Sequence, residues 1–192
     1  MAQELVTVKT IMKKFNLNCI CGKEGLKRPI LVENINRAGM ELMGFFEHSD
    51  LRRIIVFGNK EINYISSKTS KELRPAFEFL INEITPCMII TQGNTCPKEL
   101  KEIAEKRNFP ILLGDNSTNK MIIELMYYLN ELMAPKMSMH ATLLEIYGRG
   151  VLLTGASGIG KCEIALELVR RGHRLVADDR VDLVKKKKKL TG

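Results

Sequence analysis

Gly155 and Gly160, four residues apart and followed at once by Lys161, are the residues of this chain whose types and spacing most directly specify a chemistry. The stretch Gly155-Ala156-Ser157-Gly158-Ile159-Gly160-Lys161-Cys162 has the G-x-x-x-x-G-K pattern of a phosphate-binding P-loop. A polyphosphate carries dense negative charge that must be held without side-chain bulk. Glycines let the backbone approach, and successive N–H groups form an anion nest. The following helix adds the positive end of its dipole, and the lysine adds a mobile full charge. After the lysine, most P-loops place a Ser or Thr whose hydroxyl ligates Mg2+. Here that residue is Cys162, and a thiol is a poor ligand for a hard cation. The second candidate group is Asp178-Asp179. A carboxylate at a strand end facing a P-loop can coordinate magnesium, orient a nucleophile or accept its proton. Strand alternation would send the two side chains to opposite sides and divide those roles between them. The alternatives are a glycine turn of purely structural purpose and an acidic pair that caps a turn.

The elements needed to position these residues are legible nearby. The apolar run Val151-Leu152-Leu153 predicts a buried strand entering the loop, and Glu163 to Arg171 predicts a helix with Ile164, Ala165, Leu168 and Val169 on one stripe, ended by Gly172. Arg174 to Ala177 then predicts the neighbouring strand, delivering the aspartates to the edge where the P-loop opens. Upstream, Thr142 to Tyr147 alternates as a strand, and Gly148-Arg149-Gly150 reads as the turn back into the loop strand. His140 stands at the start of that strand. On its own it reads as a surface residue.

The run from His140 to Asp179, HATLLEIYGRGVLLTGASGIGKCEIALELVRRGHRLVADD, resembles the bifunctional HPr kinase/phosphorylase family of bacterial carbon regulation, whose core reads like GxSGxGKSExALELxxRGHRLVADD. A looser resemblance extends over the N-terminal half, including RAGMELMGFF from Arg37 to Phe46 and TPCMIITQG from Thr85 to Gly93. Cys162 departs from the family's Ser. The sequence ends at Gly192, whereas the family continues with a further magnesium ligand, partner-docking elements and hexamer contacts. The resemblance implies ATP and Mg2+ as cofactors and the phosphocarrier protein HPr as partner, with phosphorylation of a serine on HPr. It also implies the reverse task, in which inorganic phosphate attacks phosphoserine and pyrophosphate is released. It puts the general base at Asp179 and His140 in the active site beside it, with Asp178 left as a possible metal ligand. A rival reading is a non-catalytic nucleotide-binding regulator, or an inactive fragment of such an enzyme.

The fold class expected is α/β, an N-terminal parallel-sheet domain over 1–133 followed by the start of a P-loop kinase domain over 134–192, with Ala134-Pro135-Lys136 as the linker. In the first part, Glu4 to Ile20 reads as a short strand, a helix through Ile11, Met12 and Phe15, and a strand at Cys19 to Cys21. A turn at Gly22 to Gly25 follows, and Leu42, Met43, Phe45 and Phe46 read as core. Strands at Arg53–Phe57, Cys87–Thr91 and Ile111–Leu113 alternate with helices at Ser70–Ile84, Lys98–Arg107 and Thr118–Met133. The polar turns Gly58-Asn59, Gln92-Gly93-Asn94 and Gly114-Asp115-Asn116 follow the strands, where a ligand crevice or plain strand-to-helix turns are both admissible. This half carries no catalytic constellation and reads as a regulatory or assembly domain.

Composition excludes several classes. A chain of 192 residues with 45% hydrophobic and 27% charged residues can bury a core. Five of the charges behind the formal +8 are Lys185 to Lys189, read as a solvated strand or turn, so general basicity is weak. With no Trp and 6% aromatics there is no base-stacking platform, and no nucleic-acid partner is expected. The five cysteines are an odd count without paired metal spacing. Cys19 and Cys21 should share one strand face as small core residues. Neither a signal segment nor a membrane-spanning run is evident, so a cytoplasmic location is expected.

Overall fold

The computed structural model describes residues 5–186 and 189–191, with side chains over 5–184. It divides into two units, Met1–Met133 and Ala134–Gly192. The first runs α1 (Val8–Lys14), β1 (Asn18–Cys21), a 3-10 turn (Lys23–Lys27), β2 (Ile35–Asn36), α2 (Gly39–Leu42), β3 (Ile54–Phe57), α3 (Asn59–Ser66), α4 (Ser70–Leu80), β4 (Met88–Ile90), α5 (Lys98–Lys106), β5 (Ile111–Leu113) and α6 (Thr118–Met133).

Strands that are apolar without alternation are stable only when both faces are covered. β3 and β4 are of this kind, and every one of their residues is buried. The sheet order is β1-β5-β4-β3-β2, with β2 to β5 parallel and β1 antiparallel on β5. On one face Ile55, Phe57, Met88, Ile90 and Ile111 pack against α2 to α5. On the other, Ile54, Val56, Ile89 and Leu112 meet Val8 and Ile11 of α1 and Met121, Leu125 and Leu129 of α6. The expected parallel α/β sheet is therefore present.

Several local expectations are corrected. A bulge between Cys19 and Cys21 shifts the register of β1, so Cys21 joins the first core and Cys19 the second instead of sharing one face. The helix expected to reach Ile84 stops at Leu80, because Asn82 takes over its final carbonyls. Asn82 Nδ2 donates to Phe79 O and Leu80 O, and Asn82 Oδ1 accepts from Ile84 N and Thr85 N. Ile81 is buried, whereas Ile84 is exposed. Leu42 is buried and Phe46 stacks on Phe79 at 4.5 Å, but Met43 and Phe45 face solvent and are not core. Among the described residues, an isolated Thr7–Pro29 bridge stands before α1 in place of the expected short strand, and Glu4 lies outside them.

The second unit runs β6 (Lys136–Met139), β7 (Thr142–Ile146), β8 (Arg149–Leu153), α7 (Lys161–Arg170), β9 (Arg174–Ala177), β10 (Val181–Lys186) and β11 (Lys189–Thr191). It forms two three-stranded sheets, β8-β7-β9 and β11-β10-β6. Lys136, expected in the linker, already belongs to β6. The β7–β8 turn is Tyr147-Gly148, with φ of 49° and 73°, rather than Gly148-Arg149-Gly150. Positive φ at both positions matches the twist of a two-residue hairpin, so pairing extends through Arg149 and Gly150. Val151, Leu152 and Leu153 are half-buried rather than buried. On α7 only Ala165 is buried, while Ile164, Leu166 and Val169 are exposed, so the expected apolar stripe is mostly uncovered. The core here is small, Ala141, Leu143, Val181 and Leu183. Lys185 and Lys186 end β10 and Lys189 opens β11, but the side chains of the lysine run, and Lys187 and Lys188 altogether, lie outside the described residues. Among the described residues, no helix is long and apolar enough to cross a membrane.

Candidate phosphate-binding site

β8 leads into the glycine loop and α7 leaves it, the strand–loop–helix order that the chemistry requires. Gly155, Gly158 and Gly160 have φ of 153°, 79° and 98°, in the region that side chains rarely adopt. A Cβ at Gly155 would also come within 3.2 Å of Ile159 Cγ2. The first helical bond is Ile164 N to Gly160 O at 3.1 Å, so the amides at the start of α7 have no acceptor within the helix. Gly155 to Ile159 are exposed, which leaves the nest accessible. Lys161 Nζ donates to Gly155 O and Ala156 O, both at 2.9 Å, and so lies folded against the loop.

The aspartates reach this edge by a different route from the one expected. β9 does not neighbour β8. Both pair antiparallel with β7, which lies between them, so β8 and β9 run parallel and end on the same side of the sheet. β7 starts where they finish, with Thr142 opposite Leu153 and Leu143 opposite Ala177. This brings His140 and Thr142 to the aspartates. Thr142 is 1% exposed, and its Oγ1 donates to Asp178 Oδ1 at 2.7 Å. The same oxygen accepts Asp179 N at 3.0 Å. His140 Nδ1 lies 2.9 Å from Asp179 O, and because a carbonyl only accepts, Nδ1 is the protonated nitrogen.

Asp179 has φ of 64° and lies beyond the end of β9. Strand alternation therefore does not govern the pair, contrary to expectation. Asp178 is tied to Thr142, whereas Asp179 is gripped through its backbone at both N and O. Its carboxylate is exposed and has no hydrogen-bond or ion-pair partner among the described residues. Thr142 was not singled out from sequence. The available signal was a polar residue heading an otherwise apolar strand, directly after His140 and Ala141.

Cys162 is an exposed free thiol where a hydroxyl oxygen would serve, and by itself it suits Mg2+ poorly. The hard oxygen donors at this edge are the exposed carboxylates of Asp178 and Asp179, and among the described residues no group of three or more His, Cys, Asp and Glu could hold a metal ion without the nucleotide's own oxygens.

The polar turns of the first unit are largely engaged with one another. Thr91 Oγ1 lies 2.8 Å from Thr118 Oγ1, Thr118 Oγ1 donates to Gln92 Oε1 at 3.0 Å, Asn94 Nδ2 donates to Asn59 Oδ1 at 2.8 Å, and Gln92 N donates to Asn116 O at 3.1 Å. These bonds knit strand ends together.

Two family models match the chain. One described as HPr Serine kinase N terminus covers residues 6–129, and one described as HPr Serine kinase C-terminal domain covers 131–192. A curated HPr kinase/phosphorylase from Listeria welshimeri is 42% identical over 178 residues, which is 93% of this chain and 57% of that protein. HPr kinase/phosphorylase 1 of Oceanobacillus iheyensis is 40% identical over 179 residues, 93% of this chain and 58% of that protein. The Bacillus cereus HPr kinase/phosphorylase is 39% identical over 178 residues, with the same coverage of 93% and 58%. The chain thus spans less than two thirds of the length of the curated relatives it matches.

Proposed function

Because the chain belongs to the HPr serine kinase family, we propose that it carries the nucleotide site of an ATP-dependent kinase that phosphorylates a serine of HPr and, in reverse, phosphorolyses phosphoserine-HPr to give pyrophosphate, in carbon catabolite regulation. The observation that carries this reading is the shared sheet edge of the P-loop and the free carboxylate of Asp179.

In the forward direction Lys161 leaves the carbonyls of Gly155 and Ala156 for the β and γ phosphates, and the amides of Ser157 to Cys162 hold them. Asp179 takes the proton as the serine oxygen bonds to the γ-phosphorus, and the bond to the β-phosphate oxygen breaks to leave ADP. In reverse, a phosphate oxygen attacks the phosphoserine phosphorus, the serine ester bond breaks, and Asp179 returns a proton to the departing serine. Pyrophosphate and HPr are the products. His140, Asp178 and Thr142 hold Asp179 in its turned-out position throughout. Were Mg2+ to accompany the nucleotide, Asp178 would be the carboxylate placed to hold it, and the ion would offset charge on the phosphates. Residues 1–133 serve as a regulatory or assembly domain and residues 134–192 as the kinase part, in a cytoplasmic homo-oligomer, a hexamer by family resemblance.

The test combines ATP binding with phosphate transfer from labelled ATP to HPr. Lys161→Ala should abolish binding, and phosphoserine should form on HPr only with Lys161 and Asp179 intact. ATP binding equal to that of Lys161→Ala would overturn the reading. A second reading, a nucleotide-binding regulator that transfers no phosphate, is favoured by the thiol at Cys162. It predicts ATP binding with no phospho-HPr.

A further inference from the structure

The register of β10 on β6 pairs Val181 with Met139 and Asp182 with Ser138. Continued by one residue, it sets Arg180 opposite His140, whose Nδ1 holds Asp179 O. Arg180 N donates to Asp178 O at 2.7 Å, so Arg180 is fixed directly beside Asp179. Residues alternate along a strand, and Val181 is buried, so Arg180 and Asp182 share the solvent side of β10 with Ser138 of β6 next to them. There Arg180 Nε donates to Asp182 Oδ1 and Nη2 donates to Ser138 Oγ, both at 3.2 Å, while Ser138 Oγ donates to Asp182 Oδ1. Ser138 and Arg180 together hold the Asp182 carboxyl below its usual range, which keeps it ionised and the guanidinium oriented. Arg180 Nη1 has no hydrogen-bond partner among the described residues.

We propose that Arg180 is a further catalytic residue of this site, a cation that donates to the oxygens of the phosphoryl group in transit beside Asp179. The inference rests on the phosphoryl-transfer reading above and goes beyond it by naming the group that offsets the charge on that phosphoryl.

During transfer, negative charge is spread over three equatorial oxygens of the moving phosphoryl, and fixed cations aimed at them lower the barrier. The exposed carboxylates of Asp178 and Asp179 stand at the same edge and repel those oxygens. The other arginines of this unit are placed elsewhere. Arg149 opens β8 and Arg174 opens β9, strands that end at the site, and Arg170 and Arg171 stand at the end of α7, which begins there. Arg180 is therefore the arginine that the topology brings to the reacting edge. As the serine oxygen bonds to the γ-phosphorus and the bond to the β-phosphate oxygen breaks, Asp179 takes the serine proton. Arg180 keeps all of its own protons and contributes charge-assisted hydrogen bonds to the phosphoryl oxygens, which a planar fork suits better than an ammonium does.

The test measures kcat and KM for phosphorylation of HPr by the full chain, Arg180→Ala, Arg180→Lys and Arg170→Ala, with ATP affinity alongside. Arg170→Ala removes the same charge at the opposite edge and should behave as the native chain. Arg180→Ala should lose roughly 10³-fold in kcat, the low end for an arginine acting on a transferring phosphoryl group. Its ATP affinity and its KM for HPr should stay unchanged. Added guanidinium ion should restore part of the rate of Arg180→Ala, and Arg180→Lys should retain more activity than Arg180→Ala. Phosphorylation by Arg180→Ala at the native rate would overturn the inference alone. So would a raised KM for HPr with kcat intact, or a loss that guanidinium does not relieve, because Arg180 would then serve docking or the fold. Absence of phospho-HPr with the native chain would overturn the phosphoryl-transfer reading and the inference together.

Discussion

Asp179 is held through its backbone and left free at its carboxylate, an arrangement that suits a group which must exchange a proton while its position stays constant. Neutralising it should therefore cost chemistry rather than binding. Asp179→Asn should slow both directions by roughly 10²–10⁴-fold, the usual loss for a missing general base, with nucleotide affinity little changed. Asp178→Asn and Thr142→Val should have smaller effects. Because both loosen the same contact, their double variant should be no worse than the worse single one. Paired kinase and phosphorolysis assays with nucleotide titrations would check this. Full loss in Asp178→Asn with Asp179→Asn unaffected would mean that the base is the other aspartate.

Among the elements, α4 ends by substitution of one hydrogen-bonding scheme for another. Asn82 supplies donors to two helix carbonyls and an acceptor to two following amides, so no single partner replaces it. Asn82→Ala should lower unfolding free energy by about 1–3 kcal/mol, the cost of leaving such groups unpaired. At the end of β3, Gly58 has an ordinary φ of −121°, so its glycine is required by space and not by backbone angle. A Cβ there would lie 2.1 Å from Thr118 Oγ1, which is committed to Thr91 and Gln92. Gly58→Ala should cost about 1–3 kcal/mol through overpacking. Urea unfolding of both variants measures these losses, and an unchanged midpoint for Gly58→Ala would show that Thr118 moves aside freely.

At the scale of the whole molecule the two units are unequally buried. The first has a covered sheet with two large core clusters, and the second has four buried apolar residues in its cluster and an exposed apolar side on α7. Opening free energy follows such differences, so amide exchange should be slowest in β3 and β4 and markedly faster in β7 to β9. Equal protection in both would contradict this. The buried thiols add a pH dependence. Burial raises the pKa of Cys21 and Cys87, and pushes Cys96 up to about 12, whereas an unfolded thiol ionises near 8.5. The folded state thus retains protons that the unfolded state loses. This contribution is fully present below about pH 8.5 and is lost progressively as pH rises toward the folded values. The urea midpoint should fall above that pH, and Cys87→Ala with Cys96→Ala should flatten the decline.

What the sequence determined by itself were the features encoded in consecutive residues. An anion nest is made of successive backbone amides, so Gly155 to Cys162 declared it, and the density of matched residues from His140 to Asp179 declared the family. The buried strands and α6 were legible for the same reason, since their apolar patterns are local. Pairing order and register were decided only by the tertiary structure. Nothing in the spacing showed that β7 separates β8 from β9, because a strand's pattern is the same whichever neighbour it takes. The bulge that divides Cys19 from Cys21 depends on the partner strand β5, and the short β2, α3 and β6 carry too few residues for a periodic signal. The bonds of Thr142 to Asp178 and of His140 to Asp179 span 36 and 39 residues. They exist because an antiparallel strand starts where two parallel strands end, a juxtaposition that only the folded sheet creates.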